Sequence, residues 1–310
     1  MNHNPYNIWM KNILLTFSFS LCLFSFSENQ VSDVFKSQYR NQLFMDVEAA
    51  LAQAQAELEI IPQWAADEIS SKADVKYLKQ KDIDKEQSLV RHTLVARLNV
   101  WKRSIDNNAS EYLHYGATTV DIWDTVLVLQ IDDSIDLLID DLLEIEDYLI
   151  TLTKDNLYTY MPGRTLGQHD NPINFGKKTS TWLAENRRNI ERLEHVQSKI
   201  KKSGILKGAV GSYLGLGDNA IKTESLMMRN LGLDDPSKDD WHGIRDVFAE
   251  YALTLAIISK SFGRVGNELT LLQMTEIGET EEYLGNRSVG SSTMPQKKNP
   301  RGPGDLIELS

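Results

Sequence analysis

Cysteine is nearly absent from this 310-residue chain, which excludes several classes of protein. The single cysteine, Cys22, cannot form an intramolecular disulfide or an all-thiolate metal site. The six histidines are scattered and no HExxH pattern occurs, so nothing in the sequence indicates a zinc enzyme. Neither GxGxxG nor GxxxxGKS/T is present, which excludes the two common phosphate-binding loops.

Basic charge is also scarce. Lysine and arginine number 33 against 44 acidic residues, and the net charge of −11 provides no broad positive surface for nucleic acid. The apolar run at residues 13–26 is shorter than the ~18 residues that span a bilayer, so no stable membrane association is expected. Lys11 before the run and a possible cleavage site at Ser25-Phe26-Ser27, where the run ends, also fit a secretory signal. The alternative is an N-terminal extension of a cytoplasmic protein.

Proline is missing from residues 63–161 and 237–294. An interior proline costs a helix about 3 kcal/mol, so these stretches permit long helices. Apolar residues at steps of three and four predict helices, and no convincing period-2 alternation is found, so the predicted class is all-α. The predicted helices cover residues 46–60, 121–154, 175–202 and 241–277.

The lengths of these helices predict an oligomer. Helices of roughly 28–37 residues are about 42–56 Å long, more than a compact domain of this size can cover. The first half of 241–277 is apolar nearly all round, so it should lie deep inside an assembly. We therefore predict a bundle of long helices whose apolar faces are covered by other subunits.

The first polar break between the helices, HYGATTVD at residues 114–121, contains His114, Thr118 and Thr119. Hydroxyls and backbone amides at the start of a helix bind carboxylates well, so the break is a candidate substrate clamp. The alternative is an ordinary helix cap.

Two further breaks carry unusual polar residues. The break at residues 161–172 holds Arg164, Thr165, Gln168 and His169 between two prolines, although Arg164 has many acidic residues with which to pair. The break at residues 290–301, GSSTMPQKKNPR, holds Ser291, Ser292, Lys297 and Asn299. Such a loop can bring a hydroxyl and several cations onto an anionic substrate, and the alternative is a plain surface loop.

These three breaks resemble the shared regions of one enzyme family. GSSTMPQKKNP resembles the signature loop of the fumarase/aspartase superfamily, which includes class II fumarase and argininosuccinate lyase. EYLHYGATTVDIWDT and GRTLGQHDNPINFGKK resemble its other two regions, as found in the branch of adenylosuccinate lyase and 3-carboxy-cis,cis-muconate cycloisomerase. The resemblance implies an all-α, long-helix bundle in a homotetramer, with each active site shared between subunits.

The resemblance also implies a domain division. It begins near residue 23, which leaves residues 1–22 as an extension, 23–115 as an N-terminal helical domain and 116–310 as a central long-helix domain. Family members continue well beyond the signature loop, so the central domain is expected to be incomplete and a C-terminal domain absent. A signal cleavage after Ser27 would fall inside the family-like stretch, which favours a cytoplasmic location over secretion.

The implied chemistry is an anti β-elimination, usually releasing fumarate, or a related cyclisation, without a metal or organic cofactor. In the family pattern Ser291 is the base that removes a proton next to a carboxylate. The implied substrate-binding residues are His114, Thr118, Thr119, Arg164, Thr165, Gln168, Ser292, Lys297 and Asn299. The expected partners are a small carboxylate substrate and three further copies of the chain, with no nucleic acid.

Two departures from the family pattern bear on the acid and the substrate. Leu166 stands where many members have a helper histidine, so His92 and His169 become the candidate acids, with His92 preferred. The Arg-Tyr pair with which adenylosuccinate lyases bind the nucleotide phosphate aligns with Leu23 and Phe24.

The leading hypothesis is therefore a lyase or cycloisomerase that acts on a small polycarboxylate and is similar to carboxymuconate cycloisomerase. Adenylosuccinate lyase of purine synthesis is one alternative. A catalytically silent structural or truncated family member is the other.

Overall fold

The computed structural model describes residues 30–243, 245–283, 285, 291–294 and 296–310. Within these ranges the chain is mainly helical, which confirms the predicted all-α class. The elements are α1 (Ser37–Glu57), α2 (Gln63–Ser71), α3 (Gln80–Val90), α4 (Thr93–Lys102), α5 (Thr119–Asp155), β1 (Tyr160–Thr165), β2 (Gln168–Asn174), α6 (Phe175–Ile200), α7 (Ala220–Asn230), α8 (Arg245–Leu272) and α9 (Arg301–Glu308). The N-terminal extension, with its apolar run, lies outside the described residues.

The four helices predicted from apolar spacing are present, with shifted ends. Helix α5 has 37 residues, two more at its start and one more at its end than predicted. Helix α8 is shorter than predicted because residues 241–243 are irregular and the chain turns after Leu272. Helix α1 begins nine residues before the predicted start at Asp46, because Ser37 to Met45 continue its buried face through Asn41 and Phe44. In the described part of the chain, no helix is both long and apolar enough to cross a membrane.

The described residues form two compact units, and the boundaries between them fall within the long helices. The first unit comprises residues 30–137 and 195–250, and the second comprises residues 138–194 and 251–310. In the first unit, Phe44 of α1 stacks on Trp123 of α5 at 5.6 Å between ring centroids and meets the edge of Trp101 at 6.0 Å. The guanidinium group of Arg97 lies 5.3 Å from the Trp123 ring centroid. These contacts fix α1 against the start of α5, where the first polar break lies.

The second unit has its own core. The rings of Phe175 and Trp182 on α6 meet edge to face at 6.1 Å between centroids. The other buried members are Leu152, Met161, Leu269 and Leu272. Because Met161 belongs to β1, this core anchors the base of the hairpin formed by β1 and β2.

This hairpin is the main local difference from the sequence analysis, which predicted an irregular break at residues 161–172. The antiparallel strands close at Thr165 and Gln168, and the central turn residues Leu166 and Gly167 have φ angles of +49° and +75°. Two positive φ angles are typical of the type I′ turns that join hairpin strands. The turn was missed because leucine, unlike asparagine, is not a residue that predicts it, and because two prolines argue against strands.

Candidate functional site

The break before α5 is a half-buried loop held by α1. His114 and Gly116 have positive φ angles of +65° and +77°. The His114 Nδ1 lies 2.8 Å from the Oε1 of Glu48, and the Gln55 Nε2 donates to the Tyr115 carbonyl at 2.7 Å. Both anchors lie on α1 and are about 1% exposed, so the loop is positioned by two buried polar side chains.

The Glu48 carboxylate changes the protonation of His114. Burial lowers the pKa of His114, but the charge and hydrogen bond of Glu48, with a smaller contribution from Asp121, outweigh burial. The pKa of the imidazole is therefore raised above its ordinary value, which favours the charged form. The His114 side chain remains 19% exposed, so the ring is not sealed from solvent.

Asp121 in the first turn of α5 joins two loops. Its fully buried carboxylate accepts the backbone N–H groups of Thr118 at 2.9 Å, Lys207 at 2.8 Å and Gly208 at 3.1 Å. Burial raises the pKa of Asp121 to about 6, although these three hydrogen bonds oppose the shift. Because Thr118 precedes the helix, its bond to Asp121 is one half of a capping box. The cap bond is thus made by the Asp121 carboxylate, and Thr118 and Thr119 stay half-exposed.

The loop after α6 packs backbone to backbone against the His114 loop. A Cβ atom at Gly116 would lie 2.8 Å from the carbonyl oxygen of Gly215 and 2.8 Å from the Leu216 side chain. This close approach, together with the positive φ, accounts for glycine at position 116.

A buried ionic cluster supports this second loop. The Lys207 Nζ donates to the Tyr213 hydroxyl at 2.7 Å and lies 3.0 Å from Glu224, and the Tyr213 hydroxyl donates to Glu224 at 2.7 Å. The Lys207 and Glu224 side chains are 2% and 4% exposed. Burial lowers the pKa of Lys207, but its bonds to Tyr213 and Glu224 outweigh that effect and raise it. The cluster thus fixes the charged side chain of Lys207, the same residue whose backbone N–H group binds Asp121.

In the second unit, the hairpin directs its polar residues outward. Arg164 forms a bidentate ion pair with Glu279, and its Nη2 also lies 3.2 Å from the His169 Nε2. Thr165, Gln168 and His169 are exposed. The pairing of Arg164 with an acid, which the sequence analysis left open, is therefore the arrangement found here.

The signature segment contains an ordered serine turn. The Ser291 Oγ accepts the backbone N–H of Thr293 at 3.3 Å and that of Met294 at 3.2 Å. Ser291 and Asn299 are half-buried, whereas Ser292 and Lys297 are exposed. Gly290 and Pro295, which belong to the same predicted loop, lie outside the described residues. Two N–H donors on one hydroxyl favour a negative charge on its oxygen, which is the state in which a serine acts as a base.

His92 lies in the first unit at the start of α4. Its Nδ1 accepts the backbone N–H of Val95 at 3.3 Å, so the ring serves as the helix cap. His92 is exposed.

The structure distributes the predicted site residues between the two units. The first unit contains His92, His114, Thr118 and Thr119, and the second contains Arg164, Thr165, Gln168, His169, Ser291, Ser292, Lys297 and Asn299. Within the described residues, no group of three or more histidine, cysteine or acidic side chains could hold a metal ion.

Sequence reasoning missed five buried polar residues around the His114 loop, namely Glu48, Gln55, Asp121, Lys207 and Glu224. Glu48 is an acid on the apolar face of a predicted helix, and this pattern was the available signal. Lys207 and Glu224 carried no such signal, because a buried ion pair between distant residues is read only from the fold.

Comparisons with known proteins place these features in a family. The sequence matches the family described as Lyase over residues 24–308. Adenylosuccinate lyase of Methanocaldococcus jannaschii is 36% identical over 272 residues, which cover 87% of this chain and 59% of that protein. N-acetyl-S-(2-succino)cysteine lyase of Dickeya dadantii is 36% identical over 286 residues, which cover 92% and 62%.

Solved structures agree with this match. The crystal structure of the 3-carboxy-cis,cis-muconate lactonizing enzyme from Pseudomonas putida has a TM-score of 0.78 and 30% identity, covering 90% of this chain and 62% of that one. The chain thus spans about three fifths of the length of the relatives it matches. The resemblance noted in the sequence is confirmed, and the chain belongs to the Lyase family of the fumarase/aspartase superfamily.

Proposed function

We propose that the protein is a lyase that removes a proton next to a substrate carboxylate and expels the group on the neighbouring carbon by anti β-elimination. The observation that carries this proposal is the Ser291 hydroxyl, whose oxygen accepts two backbone N–H groups within the signature segment. A serine hydroxyl is a weak base unless its deprotonated form is stabilised, and oriented N–H donors stabilise that form.

The other polar residues suit the binding of a small anion. Lys297 is exposed on the same segment as Ser291, and its ammonium group can pair with a substrate carboxylate. The half-exposed Thr118 and Thr119 at the start of α5 offer hydroxyls next to a helix N-terminus, where carboxylates bind well. We assign a second carboxylate to this helix start.

The substrate we propose is a small polycarboxylate. Two of the relatives that are 36% identical are named for substrates with a succinyl group, one as adenylosuccinate and one as a 2-succinocysteine derivative. Elimination from such a group releases fumarate, and this is the first candidate reaction. The structural similarity to the 3-carboxy-cis,cis-muconate lactonizing enzyme supports cycloisomerisation of a carboxymuconate as the second.

Two alternatives from the sequence analysis remain. Adenylosuccinate as substrate is supported by the Methanocaldococcus jannaschii relative and opposed by Leu23 and Phe24, which cannot bind a phosphate and lie outside the described residues. A catalytically silent protein is supported by Leu166, which occupies the tip of the hairpin and is fully exposed.

We further propose a homotetramer in which the three polar regions of one active site come from different protomers. Helix α8 supports this, because its Leu253 and Ile257 are 66% and 49% exposed and lie one turn apart. An exposed apolar pair on a long helix is typical of a face that another subunit covers.

The test is a substrate panel with the purified protein. Argininosuccinate, adenylosuccinate, N-acetyl-S-(2-succino)cysteine and 3-carboxy-cis,cis-muconate are supplied in turn, and fumarate or lactone is measured by chromatography. The proposal expects product from one small polycarboxylate and a loss of that product in Ser291→Ala. Adenylosuccinate as the only substrate would favour the first alternative, and no product from any compound would favour the silent protein.

A further inference from the structure

The histidines predicted for the active site differ in what their ring nitrogens contact. A protonated imidazole has two N–H donors and no acceptor, so a histidine that works as an acid needs neighbours that accept. Geometry therefore separates a histidine that can hold a proton for transfer from one that cannot.

His92 and His169 both contact donors. The His92 Nδ1 accepts the backbone N–H of Val95, so this nitrogen carries no proton in the observed conformation. The His169 Nε2 lies 3.2 Å from the Arg164 guanidinium, which can only donate. A cationic form of either ring would have to give up the contact that now positions it.

His114 contacts an acceptor. Its Nδ1 lies 2.8 Å from the carboxylate of Glu48, which is buried and accepts the N–H. The second oxygen of Glu48 is also buried and has no hydrogen-bond partner among the described residues, so the imidazole is the main counter-charge of this carboxylate. The ring also lies on the loop that leads into Thr118 and Thr119, the proposed carboxylate clamp.

We propose that His114 is the proton donor to the leaving group and that Glu48 is the positioning residue that keeps it charged and oriented. This inference rests on the proposed function. The Glu48 carboxylate accepts a hydrogen bond from the Nδ1–H, which leaves the Nε2–H to be transferred. Leu166 cannot donate a proton, so in this proposal His114 takes the role of the helper histidine that many family members have at position 166.

The proton and electron balance of the step is complete. The deprotonated Ser291 oxygen takes the proton from the carbon next to the carboxylate, and the C–H electron pair forms the C=C bond. The bond from the adjacent carbon to the leaving heteroatom breaks, and its electron pair takes the Nε2 proton of His114. Neutral His114 remains bonded to Glu48, and exchange with water restores the starting protonation of both residues.

The charged groups that act on His114 are Glu48 on α1, Asp121 on α5 and Lys102 on α4. The two carboxylates favour the imidazolium, whereas Lys102 and burial oppose it. Replacing Glu48 by glutamine removes the largest favourable contribution and keeps the size of the side chain. The falling limb of the pH–rate profile, where the acid loses its proton, should therefore move to lower pH.

The kinetic test uses the substrate found in the panel. We expect His114→Gln to lower kcat by about 10²-fold or more, the usual scale for a general acid. We expect Glu48→Gln to lower kcat at neutral pH and to shift the falling limb downward. His195→Gln, an exposed change on α6, is the control and should keep the wild-type rate. The proposal is wrong if His114→Gln keeps its rate or if only His92→Gln or His169→Gln loses it.

An NMR titration tests the same proposal without substrate. The imidazole of His114 should titrate above the ordinary histidine pKa in the wild type and clearly lower in Glu48→Gln. Gln55→Met removes the other α1 bond to the loop and should leave the His114 titration in place. An unchanged His114 titration in Glu48→Gln would overturn the proposal even if no substrate is turned over, whereas a silent enzyme with the expected titration would count against the proposed function alone.

Discussion

The loop of His114 and the segment of Ser291 are held in different ways. The His114 loop is bound by the buried side chains of Glu48, Gln55 and Asp121. Glu48 and Gln55 lie on α1, far from the loop in sequence, and Asp121 also binds the distant Lys207. Among the described residues, the Ser291 hydroxyl accepts backbone N–H groups two and three residues further along its own segment. The first region is fixed by the fold, and the second by its local turn.

This difference separates two roles within the proposed mechanism. The buried Glu48 carboxylate favours the charged form of His114 before substrate binds, which is the preorganisation that acid catalysis requires. An exposed segment with a hydroxyl and Lys297 is suited to contact substrate and neighbouring protomers. Changes near His114 should therefore affect stability as well as activity, and changes near Ser291 should affect activity alone.

The largest expected effect is on turnover. Ser291→Ala removes the proposed base and should lower kcat by about 10³-fold, while the half-buried position keeps the free energy of unfolding near the wild-type value. Steady-state kinetics and urea denaturation of the same preparation measure both quantities. A variant that keeps more than a few per cent of wild-type turnover would remove Ser291 from the role of base.

The buried cluster behind the His114 loop should give the largest loss of stability. Glu224→Gln leaves the ammonium group of Lys207 without its buried counter-charge, which should lower the free energy of unfolding by about 3–5 kcal/mol. Glu250→Gln breaks the ion pair between Glu250 and Lys199, in which both side chains are about 40% exposed. This change should lower the free energy of unfolding by less than about 1 kcal/mol. Equal losses in urea denaturation would show that burial does not distinguish the two pairs.

Asp121→Ala should be the next most destabilising change. It leaves the backbone N–H groups of Thr118, Lys207 and Gly208 without their acceptor, at a cost of about 2–3 kcal/mol. Chemical denaturation of wild type and variant at several pH values measures this difference.

The pH dependence of that difference has a definite sign. The pKa of Asp121 is raised from 3.8 to about 6, so between these values the folded chain binds more protons than the unfolded chain. Asp121 therefore contributes most stability at low pH, and this contribution falls as the pH rises through 6. The cost of Asp121→Ala should be larger at pH 4.5 than at pH 7, and the opposite trend would contradict the assigned shift.

The smallest effect is expected at the hairpin tip. Leu166→Asn places Asn-Gly at a turn with two positive φ angles, where asparagine is favoured and leucine is strained. Because Leu166 is fully exposed, no packing is lost, and the free energy of unfolding should rise by about 1 kcal/mol. Thermal denaturation measures the gain, and Leu166→Ala, which keeps the strain, is the matched control. Equal stability of the two variants would exclude relief of strain as the cause.

The sequence predicted the long helices because their apolar periodicity is local information. It also located the three polar regions, since loops with glycine, serine and lysine interrupt that periodicity. It did not predict that Glu48 binds His114 or that Asp121 binds Lys207, because these pairs lie 66 and 86 residues apart. The packing of α1 brings the first pair together, and the loop after α6 brings the second together. The preference for His92 came from the family resemblance, whereas the hydrogen bonds of the histidine rings depend on the fold.

The central claim is that the His114 loop and the Ser291 segment of one active site belong to different protomers. Its most direct test mixes Ser291→Ala and His114→Gln chains, denatures them together, refolds them and measures turnover. Random assembly should restore roughly a quarter of the sites, since a site can then combine an intact loop with an intact segment from another protomer. Ser291→Ala mixed with Lys297→Ala is the control and should restore nothing, because both changes lie on one segment. A mixture of the first pair that stays as inactive as its components, while refolded wild type is active, would contradict the claim.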